Sequence, residues 1–223
     1  MKNNKILIIA AHPDDEILGC GGTITKLKAS NEINIIFMTN GVSARSNDSK
    51  KIKVRNSETL ALYKYLKIKT PTFFNFEDNK LDVVPILKII KKIENYINLF
   101  KPNIIFTHTP NCLNIDHQKT FEATITACRP IKDNSISLIL SFETLSSTEW
   151  KGNKQKSFFP NYFINIENQI KNKIKYLSFY KSEIRKFPHS RSYEGVKALA
   201  KYRGIMSGLK YAEAFELIRY IKR

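Results

Sequence analysis

Cysteine is scarce, with three in 223 residues. An odd number without any CxxC spacing gives no disulfide framework and no cysteine-based zinc site, so reduced thiols in a cytoplasm are expected. Long apolar runs are missing as well. Nothing approaches the ~18 consecutive apolar residues that span a bilayer. The first apolar run, Ile6-Leu7-Ile8-Ile9-Ala10, is too short for the core of an export signal and leads into Ala11-His12-Pro13-Asp14-Asp15-Glu16. A first strand and a soluble protein are expected. Acidic residues are also few, 20 against 37 basic ones, for a net charge of +17. That balance would ordinarily point to nucleic acid, an anionic membrane surface or an acidic substrate. The excess is mostly lysine, however, spread along a chain rich in Asn and Ile. It lacks the dense Arg/Lys block with interleaved aromatics that tracks a phosphate backbone. No nucleic-acid partner is expected, and an anionic small substrate remains compatible.

The length fits a single domain, 1–223, with a sizeable core. Strand-like runs at 5–10, 33–39, 72–76, 103–107 and 136–142 alternate with helical periodicity at 19–29, 51–67, 82–100 and 118–128. This predicts an α/β fold, a Rossmann-like three-layer sandwich with a mostly parallel sheet and helices on both faces. Its core spans about 1–145. After Trp150 comes a short extended segment at 161–166, then helices near 168–182 and 192–203, which together read as a C-terminal cap over about 146–223. Oligomeric state is not legible. A homo-oligomer stays open, with Phe158, Phe159 and Tyr162 as core or contact residues.

Ligands of such sheets bind beyond the carboxyl ends of the strands. There the first strand delivers His12, Asp14 and Asp15, and the fourth leads to Asp116-His117. His12, Asp15 and His117 supply two imidazoles and a carboxylate, a donor set that suits Zn²⁺ best and also admits Fe²⁺, Mn²⁺ or Co²⁺. Neighbouring side chains on an extended loop point different ways, so one of Asp14 and Asp15 can bind metal while the other faces its water. Spacing leaves open which does which. Gly19, Gly21 and Gly22 follow the strand, but they do not complete a dinucleotide fingerprint, and three acids precede them where a pyrophosphate would sit. The glycines are expected to let the helix pack closely on the sheet.

Ala11-His12-Pro13-Asp14-Asp15-Glu16, with Gly21-Gly22-Thr23 behind it and Asn114-Ile115-Asp116-His117 later, resembles the PIG-L/LmbE-like deacetylases, zinc enzymes that remove N-acetyl groups from amino sugars and related compounds. The likeness continues through Arg55-Asn56-Ser57-Glu58, Phe76-Glu77-Asp78-Asn79 and Tyr180-Lys181-Ser182-Glu183. It implies His12, Asp15 and His117 as metal ligands and Asp14 as general base. It also implies Arg55 and Asp78 as contacts to sugar hydroxyls, although Arg55 could equally pair with Glu58 three residues on. Glu16 is expected to hold the loop.

Many members carry a histidine where this chain has Asn114, held by the aspartate that is here Asp116. An amide can donate a hydrogen bond to an oxyanion but supplies no proton near neutral pH. Asp14 can return the proton it took from water, or His189, on the polar loop 188–192, can serve as general acid. His108, at a strand end, is the weaker candidate. Arg191 suits a phosphate or carboxylate on the substrate. The expected activity is therefore metal-dependent N-deacetylation of a small N-acetyl amino sugar or related glycoside, anionic and nucleotide-linked ones included. The alternatives are a metal-dependent esterase or other metallohydrolase, and a non-catalytic anionic-polymer-binding protein.

Overall fold

The structure is a computed structural model that describes residues 1–42, 49–131, 135–152 and 157–222. In chain order its elements are β1 (Lys5–Ala10), α1 (Asp15–Leu27), β2 (Glu32–Thr39), α2 (Ser49–Leu66), β3 (Thr72–Phe76), α3 (Ile86–Phe100), β4 (Ile104–His108), α4 (Ile115–Ala127), β5 (Leu138–Phe142), β6 (Tyr162–Asn165), α5 (Ile170–Leu177), α6 (Tyr193–Ile205) and β7 (Ala212–Tyr220). The strands form one sheet in the order β3-β2-β1-β4-β5-β7-β6. β1 to β5 run parallel, and β7 pairs antiparallel with both β5 and β6. The α/β architecture with a mostly parallel sheet is the expected one. No described helix is long and apolar enough to cross a membrane.

β1 shows why the first apolar run has no polar alternation. Ile6, Ile8 and Ala10 enter a core with Ile17 and Ile24 of α1, Leu62 of α2 and Val196 of α6. Leu7 and Ile9 enter a second core on the opposite face with Ile89 and Ile93 of α3 and Ala123 of α4. A central parallel strand covered on both faces must be apolar at every position. Each such buried Ile or Leu contributes roughly 1.5–3 kcal/mol.

The structure differs from the sequence expectation in two places. The C-terminal segment is more than a cap, because β6 and β7 extend the sheet itself. Charged residues within β7 hide its strand pattern, and the first of them, Glu213, is buried. It accepts N–H bonds from Gly22 (2.8 Å) and Thr23 (2.7 Å) and pairs with Lys173 Nζ at 2.6 Å. Secondly, α1 starts at Asp15, not near residue 19, so Asp15 lies in a helical first turn. Carboxylates are favourable there because the N-terminal amides carry partial positive charge.

The glycines of α1 do pack closely. A Cβ on Gly19 would lie 2.4 Å from the Phe142 ring, and one on Gly22 would lie 2.7 Å from Ile166. With α1 pressed down in this way, the loop before it is seated over the sheet edge. β2 and β4 flank β1 on opposite sides, so the loops after β1 and β4 meet where the strand order reverses. That crevice is the usual ligand site of an open α/β sheet.

Candidate active site

Two helix starts build the site. Asn114 caps α4, its side-chain oxygen accepting from Asp116 N–H (2.8 Å) and His117 N–H (3.3 Å). This fixes Asp116 and His117 in the first turn. At α1, Asp14 takes a φ of 122°, a region that favours glycine. The turn sends Asp14 away from Asp15, so the divergence of the two carboxylates comes from this backbone conformation and not from extended-chain alternation. Glu16 is buried and holds the turn. Its Oε2 accepts Asp14 N–H at 2.9 Å, and its Oε1 accepts the hydroxyls of Tyr180 (2.8 Å) and Tyr63 (3.3 Å). Burial pushes the Glu16 carboxyl up to about 8.

His12 Nδ1, Asp15 Oδ2 and His117 Nε2 form a triangle with sides of 3.0, 3.2 and 3.2 Å. Ligands at 2.0–2.1 Å around a tetrahedral ion stand about 3.3 Å apart, so three corners of such a shell are nearly in place. Asp15 Oδ1 is buried and has no hydrogen-bond partner among the described residues, which leaves the carboxylate an unused lone pair to offer a metal. These residues fit a divalent metal ion. Burial, followed by the neighbouring His108, pushes His117 down to about 3, so its imidazole is neutral and can act as a ligand. Burial alone would raise the Asp15 carboxyl, but its histidine neighbours outweigh it and hold it well below the usual carboxylate range.

The far nitrogen of His12 meets other carboxylates, with Asp78 Oδ1 at 3.0 Å and Asp116 Oδ2 at 3.1 Å. Asp78, Asp116 and His12 are a second group close enough to hold an ion. Both Asp116 oxygens, however, already accept backbone N–H bonds, from Asn79 (2.7 Å) and Leu81 (3.0 Å). Asp116 therefore serves better as an anchored acceptor for His12 Nε2–H, the outer carboxylate that orients a metal-binding imidazole. Burial would lower the His12 pKa, yet Asp15, Asp116 and Asp78 outweigh it and raise it well above its ordinary value.

A small polar pocket opens over this group and is lined by His12, Asp14, Arg55, Asp78, Asn114, Glu183 and Arg191 among others. Arg191 does not face an empty anion site. Its Nη1 lies 3.0 Å from both Asp14 Oδ2 and Glu183 Oε2, and its Nε donates to Leu145 O at 3.3 Å. Arg55 likewise donates to Pro13 O (2.8 Å), to Ser182 Oγ (3.0 Å) and, in a short contact, to Glu183 Oε1. The ion pair with Glu58 is present as well, with Arg55 Nε 3.7 Å from Glu58 Oε2, longer than a hydrogen bond. Burial lifts the Asp14 carboxyl to about 7, with Arg191 opposing and Asp15 and Glu183 assisting.

Other candidates lie elsewhere. His189 is absent from the pocket lining; its Nδ1 accepts Arg191 N–H at 3.0 Å and its ring meets Trp150 edge-on at 5.5 Å. His108 is fully buried and stacks under His117 with centroids 3.9 Å apart. Its Nε2 must accept, because Ala11 N–H points at it from 2.9 Å, so Nδ1 carries the proton toward Thr144 Oγ1 at 3.3 Å. The nearby Asp15 Oδ2, 3.4 Å from that same Nε2, is thus not its hydrogen-bond partner. Asn114 Nδ2 donates to Asn79 Oδ1 at 3.0 Å. Glu183 is the residue to which the sequence analysis gave no role. Its only sequence signal is its place at the end of Tyr180-Lys181-Ser182-Glu183.

Residues 7–128 match the family model described as PIG-L, GlcNAc-PI de-N-acetylase. Over 176 residues the chain is 29% identical to the uncharacterized deacetylase YaiS of Escherichia coli, covering 75% of this chain and 85% of that protein. It is 22% identical over 223 residues to the diacetylchitobiose deacetylase of Thermococcus kodakarensis, covering 96% and 83%. Among solved structures, the N,N'-diacetylchitobiose deacetylase of Pyrococcus horikoshii superposes with a TM-score of 0.78 at 22% identity, covering 97% of this chain and 84% of that one.

Proposed function

The chain belongs to the PIG-L, GlcNAc-PI de-N-acetylase, family, and on that premise we propose that it is a metal-dependent N-deacetylase that hydrolyses the acetamide of a small amino sugar. The observation that carries this reading is the donor triangle of His12, Asp15 and His117 beside a buried Asp14 whose carboxyl titrates at about 7. Zinc is the proposed ion, with other divalent transition metals compatible with the same donors. When bound, such an ion polarises the acetyl carbonyl and lowers the pKa of a water to about 7.

The protein's own groups do the rest. His12 donates Nε2–H toward Asp116, and Nδ1 would give up its proton to serve as the ligand atom. Asp14 takes the proton of the attacking water; a base with a pKa near the working pH combines a large ionised fraction with useful basicity. Arg191 holds Asp14 in place and favours its ionised form. The amine must gain a proton as the C–N bond breaks. His189 lies outside the pocket lining and Asn114 has no proton to give, so Asp14 is proposed to return the one it took. Arg55 and Arg191 already have internal carboxylate partners, which favours an uncharged sugar at this pocket over an anionic one. Asp78, which lines the pocket beside His12 Nε2, is proposed to meet sugar hydroxyls.

The test is a panel of N-acetylglucosamine, N,N'-diacetylchitobiose and O-acetylated sugars, with acetate and free amine quantified together. Acetate and amine appearing in equal amounts are expected. Turnover of the O-acetyl sugars alone would favour the esterase reading and overturn this one.

A further inference from the structure

Behind His117, on the side away from the other two donors, lies Cys112. The thiol is fully buried in the loop between β4 and α4, with Sγ 3.1 Å from His117 Nδ1 and 2.9 Å from Ser147 Oγ. We propose that Cys112, backed by Ser147, is the positioning residue that orients His117 for metal binding. His117 Nδ1–H donates to Cys112 Sγ, and Ser147 Oγ at 2.9 Å holds the sulfur in place. The inference rests on the metal site proposed above.

The direction of the bond between His117 and the sulfur follows from the ring. His117 Nε2 points at His12 Nδ1 and Asp15 Oδ2, so it must offer a lone pair to an ion held there, and in a neutral imidazole the proton then sits on Nδ1. Stacking on His108, with 21° between the planes, resists tilting of the His117 ring. It does not distinguish the ring from one turned over about Cβ–Cγ, which would bring Cε1 to the place of Nε2 and remove the ligand. Only an acceptor facing Nδ1 makes that distinction, and Cys112 supplies it.

The sulfur is itself fixed. Ser147 Oγ accepts Asn114 N–H at 3.2 Å, and Ser147 O accepts Leu113 N–H at 3.2 Å, so the thiol's loop is tied to the segment after β5. A metal-binding histidine more often gives its second N–H to a carboxylate, a carbonyl or water. Here Asp14, Asp15, Asp78 and Asp116 are already buried around the site. A neutral thiol supplies the acceptor without burying another negative charge.

The test measures zinc affinity by chelator competition for wild type, Cys112→Ala and Cys112→Ser, with histidine ¹⁵N–¹H spectra of the zinc-loaded proteins. Loss of an outer partner typically costs about 10–100-fold in metal affinity. Cys112→Ala is expected to lose at least about tenfold, and Cys112→Ser, which keeps a donor and acceptor, to recover most of it. Zinc-loaded wild type should show an exchange-protected Nδ1–H on His117. Unchanged affinity in Cys112→Ala, a Cys112→Ser variant as weak as Cys112→Ala, or absence of that proton in the wild type would each overturn the proposal. If the wild-type chain takes up no zinc, the metal reading itself falls and this inference falls with it.

Discussion

Replacing Arg191 with Met should move the acid limb of the pH–rate profile upward. Arg191 Nη1 is 3.0 Å from Asp14 Oδ2, with Asp14 buried and the Arg191 side chain 14% exposed. At that separation and an effective dielectric of about 20, the attraction is on the order of 5 kcal/mol, an upper bound near four pKa units. Water entering the vacated space weakens the change, and an arginine beside an aspartate typically accounts for about 1–3 units. Asp14 must be ionised to accept a proton, so activity is lost as pH falls through its pKa. In the wild type that limb should centre at about pH 7. A rise of about two units in the variant cuts the ionised fraction at neutral pH roughly fiftyfold, and raising the pH restores it. The assay is kcat/KM for acetate release across pH, with zinc content and thermal midpoint as controls. A variant slowed equally at every pH, or one with an unmoved acid limb, would refute the assignment of Asp14 as the base and Arg191 as its partner.

The other predictions concern the metal and the scaffold. His12→Ala combined with His117→Ala should remove bound zinc from the purified protein; unchanged metal content would defeat the ligand assignment. Asn114→Ala removes the α4 cap and should cost about 0.5–2 kcal/mol in denaturant unfolding. It should also lower activity, because Asp116 and His117 follow in the first turn; a fully active and equally stable variant would contradict that coupling. Gly19→Ala pushes a methyl into the Phe142 ring and should destabilise by about 1–3 kcal/mol. A neutral result would show that α1 is not seated as tightly as the 2.4 Å approach implies.

The parallel half of the sheet was legible because its strands are mostly apolar runs and the first four are each followed by a helix with three–four periodicity. β7 was not, because Glu213, Glu216 and Arg219 interrupt its apolar residues. Pairing with Lys173 makes the buried Glu213 compatible with the interior, and no local pattern announces a partner 40 residues away. In the site, the loops carrying His12, Asp14, Asp15, Asp116 and His117 could be placed from strand ends alone. Their orientation could not. The positive φ of Asp14 and the capping by Asn114 depend on backbone conformation that residue type only hints at. Arg191 looked like an anion binder because a lone arginine beside a loop histidine gives no sign of the carboxylates it will meet. Glu183, 8 residues before it, supplies one of them, and Asp14, 177 residues before it, supplies the other. Cys112 was read only for what its spacing excludes.

The proposed deacetylation depends on proton transfer by Asp14 at a site that would hold a divalent ion. The decisive measurement is acetate release from an N-acetylated amino sugar by zinc-loaded wild type and zinc-loaded Asp14→Asn, with zinc content measured in the same samples. Equal zinc is expected in both, with a rate in Asp14→Asn lower by about 10²–10⁴-fold, the usual contribution of a general acid–base group. Full activity in Asp14→Asn with zinc bound would contradict that dependence.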